Sequence, residues 1–362
     1  MDDNNYQETI KESKINWGIE NDRPIIISGP CSAESRDQVV STALKLSEMG
    51  IKIFRAGVWK PRSRPGNYTG SGSIGLEWLK EVKKLTGMLT AVEVATKDHV
   101  QEALQNDVDI LWIGARTTVN PFVIQELAET MKGIKNPVLI KNPINPDLDL
   151  WTGAIERFLK AGVCNLGVIH RGFSLYKNKK YRNEPLWQIP LDLKTRFPDL
   201  PMICDPSHIC GNTENIYEVS QKALDLNFDG LMIESHINPL VALSDAKQQI
   251  TPSELKDLIE KLNVREKVNH IQYSLEKLRG LIDEKDAELV KIMGERMNIV
   301  KEIGKIKREN NTIILQADRW NSILGNMIYL GEKYDLNKDF IELIFKSIHQ
   351  ESIYQQSLLM NE

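Results

Sequence analysis

Between Pro24 and Leu262 short apolar runs alternate with longer segments whose apolar residues recur every three or four positions. The runs are Ile25–Ser28, Ile51–Arg55, Leu89–Glu93, Ile110–Ile113, Val138–Lys141, Asn165–Ile169, Met202–Cys204 and Gly230–Ile233. Their length and continuity predict buried strands. Helical spacing occupies Asp37–Met49, Leu76–Thr86, Lys97–Asn106, Pro121–Met131, Trp151–Ala161, Glu184–Phe197, Thr213–Leu226 and Pro252–Leu262. Such strict alternation calls for a parallel sheet. Eight units close most naturally into a (β/α)8 TIM barrel of about 250 residues. A doubly wound open sheet is the alternative, disfavoured because no GxGxxG follows the first strand.

The pattern then changes. All 15 prolines lie at or before Pro252. From Val268 to Glu309 apolar residues keep helical spacing through Ile271, Leu275, Leu278, Ile282, Leu289, Ile292, Met293, Val300 and Ile303. This predicts one helix of roughly 40 residues, about 60 Å long at 1.5 Å per residue. Two shorter helices are expected near Ile314–Tyr334 and Lys338–Met360. The expected domains are a barrel over residues 1–262 with a short N-terminal arm, a linker at 263–267, and an all-α three-helix domain at 268–362.

A composition of 41% hydrophobic and 27% charged residues is that of a soluble globular protein. No apolar run approaches the ~20 residues that span a bilayer, so no membrane contact is expected. The opening MDDNNYQETIKESK is too polar for a signal peptide. Cys31, Cys164, Cys204 and Cys210 show no disulfide spacing, and the expectation is reduced thiols in the cytoplasm. A net charge of −4 argues against a nucleic-acid partner, so any basic site must be local.

The chemistry gathers where strands end. His208 follows the Met202–Cys204 run, Glu234 closes the Gly230–Ile233 run, Asp245 lies in the next loop, and Cys31 follows the first strand. Each alone is at home in a core, but together they make a mixed S/N/O set at one barrel face. Such a set suits a divalent first-row ion such as Mn²⁺, Fe²⁺, Co²⁺ or Zn²⁺. Arg55, Lys60, Arg62, Arg116, Lys141 and Arg171 also stand at or just beyond strand ends. Cations so crowded repel one another unless they bind anions, and guanidinium forks suit phosphate and carboxylate. The inference is a polyanionic substrate pair beside a metal.

The segments GPCSAE, KPRS, IGAR, LIKNP, HRGF, DPSH and GLMIESH occur in order across residues 22–262. They resemble the motifs of 3-deoxy-D-arabino-heptulosonate 7-phosphate synthases of the short-barrel type. KPRS separates them from the related octulosonate synthases, which take arabinose 5-phosphate. The resemblance implies condensation of phosphoenolpyruvate with erythrose 4-phosphate. It implies Cys31, His208, Glu234 and Asp245 as ligands of a divalent metal, Mn²⁺ first among the candidates. It implies Arg116 and Arg171 on the phosphate of phosphoenolpyruvate. Arg55, Lys60 and Lys141 would lie on its carboxylate or near the reacting carbon, and Arg62 and Ser63 on erythrose 4-phosphate. Ser63 stands where the family usually has Thr. Lys60, or Glu93 through a water, would handle the proton.

In the tail, Arg279, Arg296, Lys307 and Arg319 punctuate apolar-striped helices, and Ser352 and Gln356 sit one turn apart. LxxLRxxIDxxDxxLVxIMxER, IGKIK, ADR and ESxxxQ resemble the all-helical chorismate mutases of the intertwined-dimer class. That resemblance implies Arg279, Arg296 and Arg319 on substrate carboxylates, Lys307 and Gln356 on the ether oxygen, and Ser352 assisting. Two positions depart: Trp320 and Gln316 stand where the family commonly has carboxylates that handle the ring hydroxyl. Arg279 and Lys307 are about 42 Å apart on one straight helix. If both serve one site, a second chain must supply Arg279, and the protein is at least a dimer. Two other roles for the helices are a sensor through which prephenate or chorismate inhibits the barrel, and a plain oligomerisation module.

Overall fold

The structure, a computed structural model, describes residues 24–61, 66–176, 180–265 and 272–360. The chain divides into two compact units at Arg265. In the first, eight parallel strands form a closed barrel in sequence order. They are β1 (Ile25–Gly29), β2 (Ile53–Arg55), β3 (Leu89–Val94), β4 (Ile110–Ile113), β5 (Val138–Lys141), β6 (Leu166–His170), β7 (Met202–Cys204) and β8 (Gly230–Glu234). Closure is made by β1 on β8, in register from Ile25 opposite Gly230 to Gly29 opposite Glu234. The open-sheet alternative is thereby excluded.

The bore is filled by Ile27, Ile53, Ala91, Ile110, Trp112, Leu139, Ile169, Ile203 and Met232, all buried. Packing the bore solid leaves the strand ends as the place for polar chemistry. Outside the strands run α1 (Arg36–Glu48), α2 (Ser73–Thr86), α3 (Lys97–Gln105), α4 (Ala115–Thr118), α5 (Pro121–Thr130), α6 (Leu148–Lys160), α7 (Gln188–Arg196), α8 (Pro206–Cys210), α9 (Ile216–Asp225) and α10 (Pro252–Lys261). Their starts follow capping chemistry: Ser35, Thr96, Asn120 and Asp147 each accept a backbone N–H of the first turn. Thr251 and Glu254 make a reciprocal capping box on α10.

The one-turn helices α4 and α8 are not among the elements expected from sequence, being too short to show a periodicity. The helix expected at Glu184–Phe197 begins only at Gln188, because Glu184 instead makes an isolated antiparallel bridge to Phe173 and Leu186 turns the chain at φ 37°.

In the second unit, α11 (Gln272–Glu309) is one 38-residue helix. It is followed by α12 (Ala317–Glu332) and α13 (Lys338–Met360), with α13 packed on both. Val300, Ile341, Ser352 and Gln356 are buried here. Leu275, Leu278, Ile282, Leu289, Ile292 and Met293 on the first two thirds of α11 are exposed.

Candidate active sites

At the barrel mouth each strand end hands one group to the site. Cys31 lies two residues beyond β1 and is fully buried. Burial first, then Glu234, pushes its thiol up to about 11 against the pull of Lys60. Sγ is 3.4 Å from Asp245 Oδ2 and accepts from Lys60 Nζ at 3.0 Å. After β7, Asp205 caps α8 and accepts His208 N–H at 3.0 Å. The same carboxylate meets His208 Nδ1 at 2.9 Å and Lys141 Nζ at 2.8 Å. Burial opposes its ionisation, but His208 and Lys141 outweigh it and hold Asp205 well below the usual carboxylate range. Burial also depresses His208, so the ring is neutral at pH 7.

Glu234 ends β8 inside the protein. Its Oε1 is 3.1 Å from Arg55 Nη1 and 3.8 Å from His208 Nε2. Neither Oε1 nor Nη1 reaches hydrogen-bonding geometry with anything, so the Arg55 contact is an ion pair only. Oε2 accepts from Gln248 Nε2 at 2.7 Å. Gln248 in turn accepts from Arg182 Nη1 at 2.7 Å, and the same nitrogen donates to Asp245 Oδ1 at 3.1 Å.

The four predicted metal ligands therefore reach one mouth, but as two pairs: Cys31 with Asp245, and His208 with Glu234. Among the described residues no three His, Cys, Asp or Glu groups stand close enough together to hold an ion as they are placed here. The reason is local charge pairing: Lys60 engages Cys31, Arg55 engages Glu234 and Arg182 engages Asp245. The donor set still fits a divalent first-row ion. His208 has Nδ1 tied to a carboxylate, which orients Nε2 as outer-shell partners of ligating histidines do. The buried Oε1 of Glu234 toward which Nε2 points is an acceptor left without a hydrogen bond.

The predicted cations split by depth. Arg55 and Lys141 are buried above the Trp112 ring, 4.9 Å and 5.8 Å from its centroid. Trp112 donates to Glu93 at 3.1 Å. Gly114 permits this: a Cβ there would lie 2.1 Å from Glu93 Oε1. Arg171 is buried, donates to Asn183 Oδ1 at 2.7 Å, and is lowered to about 10 by burial, with Arg182 and Arg116 adding to the effect. Arg116 is exposed. Arg62 and Ser63 lie outside the described residues.

Sequence reasoning passed over Asp205, Arg182, Gln248 and Gln249, whose Oε1 accepts the Cys31 N–H at 2.9 Å. Asp205 was findable: an Asp three residues before a His, ahead of a Pro, is an N-cap signature. The other three lie outside the strands and α-helices, Gln248 in a short 3-10 turn, and carry no local signal.

In the helical unit Arg296 Nη1 donates to Ser352 Oγ at 2.7 Å. Gln356 is buried, with Oε1 unpartnered. Lys307 Nζ donates to the Ile314 carbonyl. Arg279 and Arg319 are exposed. Arg279 lies 17 positions before Arg296, about 25 Å along α11, and is not brought to this group. Trp320 stacks on His349, centroids 3.9 Å apart and 16° from parallel.

Residues 6–270 match the DAHP synthetase I family, which is most of the chain. The chain belongs to that family. Residues 278–357 match chorismate mutase type II, so a synthase domain is followed by a mutase domain. The Thermotoga maritima phospho-2-dehydro-3-deoxyheptonate aldolase is 30% identical over 237 residues, covering 66% of this chain and 68% of that protein. The crystal structure of that aldolase matches with a TM-score of 0.59, at 30% identity over 65% of this chain and 67% of its own. The Buchnera aphidicola bifunctional chorismate mutase/prephenate dehydratase is 36% identical over 84 residues, 23% of this chain and 22% of that protein. The two domains place this chain among the transferases and the isomerases of aromatic biosynthesis.

Proposed function

We propose that the synthase domain condenses phosphoenolpyruvate with erythrose 4-phosphate, and that the mutase domain rearranges chorismate to prephenate. The observation that carries the first activity is the set of Arg55, Lys141 and Arg171, buried at the strand ends beside Cys31, His208 and Glu234. Buried cations in a ring are stable only when anions offset them, and Glu234 and Asp205 balance only part of this charge.

Arg171 with Arg116 binds the phosphate of phosphoenolpyruvate; Arg55 and Lys141, over the Trp112 face, orient its carboxylate. Arg62 and Ser63 take the phosphate of the aldose. Holding two anions together against their repulsion is the larger part of the catalytic task. Lys60, 3.0 Å from Cys31, is placed to exchange a proton at the reacting centre. Cys31, His208, Glu234 and Asp245 would hold the divalent ion, Mn²⁺ in the first instance, and when bound it supplies Lewis-acid polarisation of the aldehyde. In the mutase domain Arg296, Arg319 and a second chain's Arg279 hold the substrate carboxylates. Lys307 and Gln356 stabilise charge on the ether oxygen, with Ser352 assisting. No nucleophile is needed for a pericyclic step.

The protein is accordingly at least a homodimer. Its four cysteines are all unpaired, which suits the cytoplasm. Prephenate bound by the helices is the proposed feedback inhibitor of the synthase.

The test is loss of phosphoenolpyruvate absorbance with erythrose 4-phosphate against arabinose 5-phosphate, and loss of chorismate absorbance in the same preparation. Preference for arabinose 5-phosphate overturns the synthase assignment. Inhibition of the synthase by prephenate should vanish in Arg296→Ala; inhibition that survives this change sinks the feedback route.

A further inference from the structure

We propose that His349 is the residue that meets the ring hydroxyl of the mutase substrate, its imidazole held in place by Trp320. This rests on the mutase reading of the helical unit.

His349, Ser352 and Gln356 follow one another at spacings of three and four on α13 and therefore share a face. The two later residues are buried, and Ser352 receives Arg296 from α11. His349 stands within electrostatic range of the same Arg296. Trp320, next to Arg319 on α12, lies flat on the imidazole at 3.9 Å. The stack covers one ring face and removes much of the side chain's rotational freedom.

The substrate presents two carboxylates, an ether oxygen and a ring hydroxyl. Carboxylates and ether oxygen only accept, and Arg296, Arg319, Lys307 and the Gln356 amide N–H supply donors for them. The hydroxyl also carries a proton to donate, and the arginines and Lys307 accept nothing. Ser352 already accepts from Arg296 and donates to the Ile348 carbonyl. Partial burial, with Arg296 adding to it, lowers His349, so at neutral pH the ring offers one donor and one acceptor. Among the described residues neither nitrogen is engaged in a hydrogen bond, and beside the unpartnered Gln356 Oε1 the imidazole is the acceptor on this face that takes the hydroxyl.

The experiment uses full-length protein and two substrates, chorismate and its analogue lacking the ring hydroxyl. In His349→Ala, kcat/KM for chorismate should fall about 5- to 10-fold, the worth of one hydrogen bond to a neutral group. On the deoxy analogue it should match the unmodified protein. His349→Gln, which keeps a donor and an acceptor, should recover part of the loss, and circular dichroism checks that the helices are intact. Equal losses on both substrates, or unchanged chorismate turnover in His349→Ala, overturn the proposal and leave the mutase reading standing. Absence of chorismate turnover in the unmodified protein overturns that reading, and this proposal with it.

Discussion

Asp205 shows how much one residue carries. A single carboxylate caps α8, orients His208 through Nδ1 and pairs with Lys141. Asp205→Asn keeps the shape but loses the charge and one acceptor. Mn²⁺ affinity, followed by calorimetric titration, should weaken about 10- to 100-fold, the usual cost of losing an outer-shell partner. An unchanged affinity would remove His208 from the ligand set.

His170 is the opposite case, a histidine with nothing to bind. It is fully buried against Trp151, Phe173, Trp187 and Phe228, and neither ring nitrogen finds a hydrogen bond of good geometry. Burial, then Arg171, lowers it from 6.5 to about 3, opposed weakly by the Pro185 carbonyl and Asp205. The folded value lies below the unfolded one, so between pH 6.5 and 3 the unfolded chain binds the extra proton. Stability from a neutral His170 is thus complete above pH 6.5 and is lost as pH falls toward 3. His170→Phe should flatten this fall, read as a smaller loss of urea midpoint from pH 7 to pH 4.5 than in the unmodified protein.

At the scale of elements, two helix ends make a controlled comparison. Gly87 after α2 and Gly211 after α8 both sit at φ 70° and ψ 2°. A Cβ at Gly87 meets nothing within 4 Å, whereas at Gly211 it would lie 2.5 Å from the Arg182 side chain. Alanine at either position should cost about 1–2 kcal/mol for the left-handed backbone. Gly211→Ala alone should also reduce synthase kcat, because Arg182 must leave Asp245 and Gln248 to make room. Equal activity in the two variants would mean that the Arg182 brace does not matter.

For the whole molecule the unpaired face of α11 is decisive. A helix whose Leu278, Ile282, Leu289 and Ile292 are 53–60% exposed buries them elsewhere or aggregates. Sedimentation should show a dimer. Ile282→Glu combined with Leu289→Glu should give a monomer that keeps synthase turnover and loses mutase turnover. Mutase activity in that monomer would show that Arg279 is not supplied by a second chain.

The barrel was legible from the sequence because its strands are buried on both faces and read as continuous apolar runs between amphipathic helices. The long helix was legible for the matching reason: a periodicity sustained over ten turns has no competing reading. Ligand types and cations at strand ends were visible too, since a barrel has one functional face and chain order assigns residues to it. Pairing was decided only in three dimensions. That Cys31 meets Asp245, and that Arg182 reaches both Gln248 and Asp245, depends on loops 63 to 214 residues apart in the chain. Likewise Trp320 meets His349 only because α12 and α13 pack. Periodicity is local and survives in a string of letters; charge pairing and ring stacking depend on distances that only the closed fold sets.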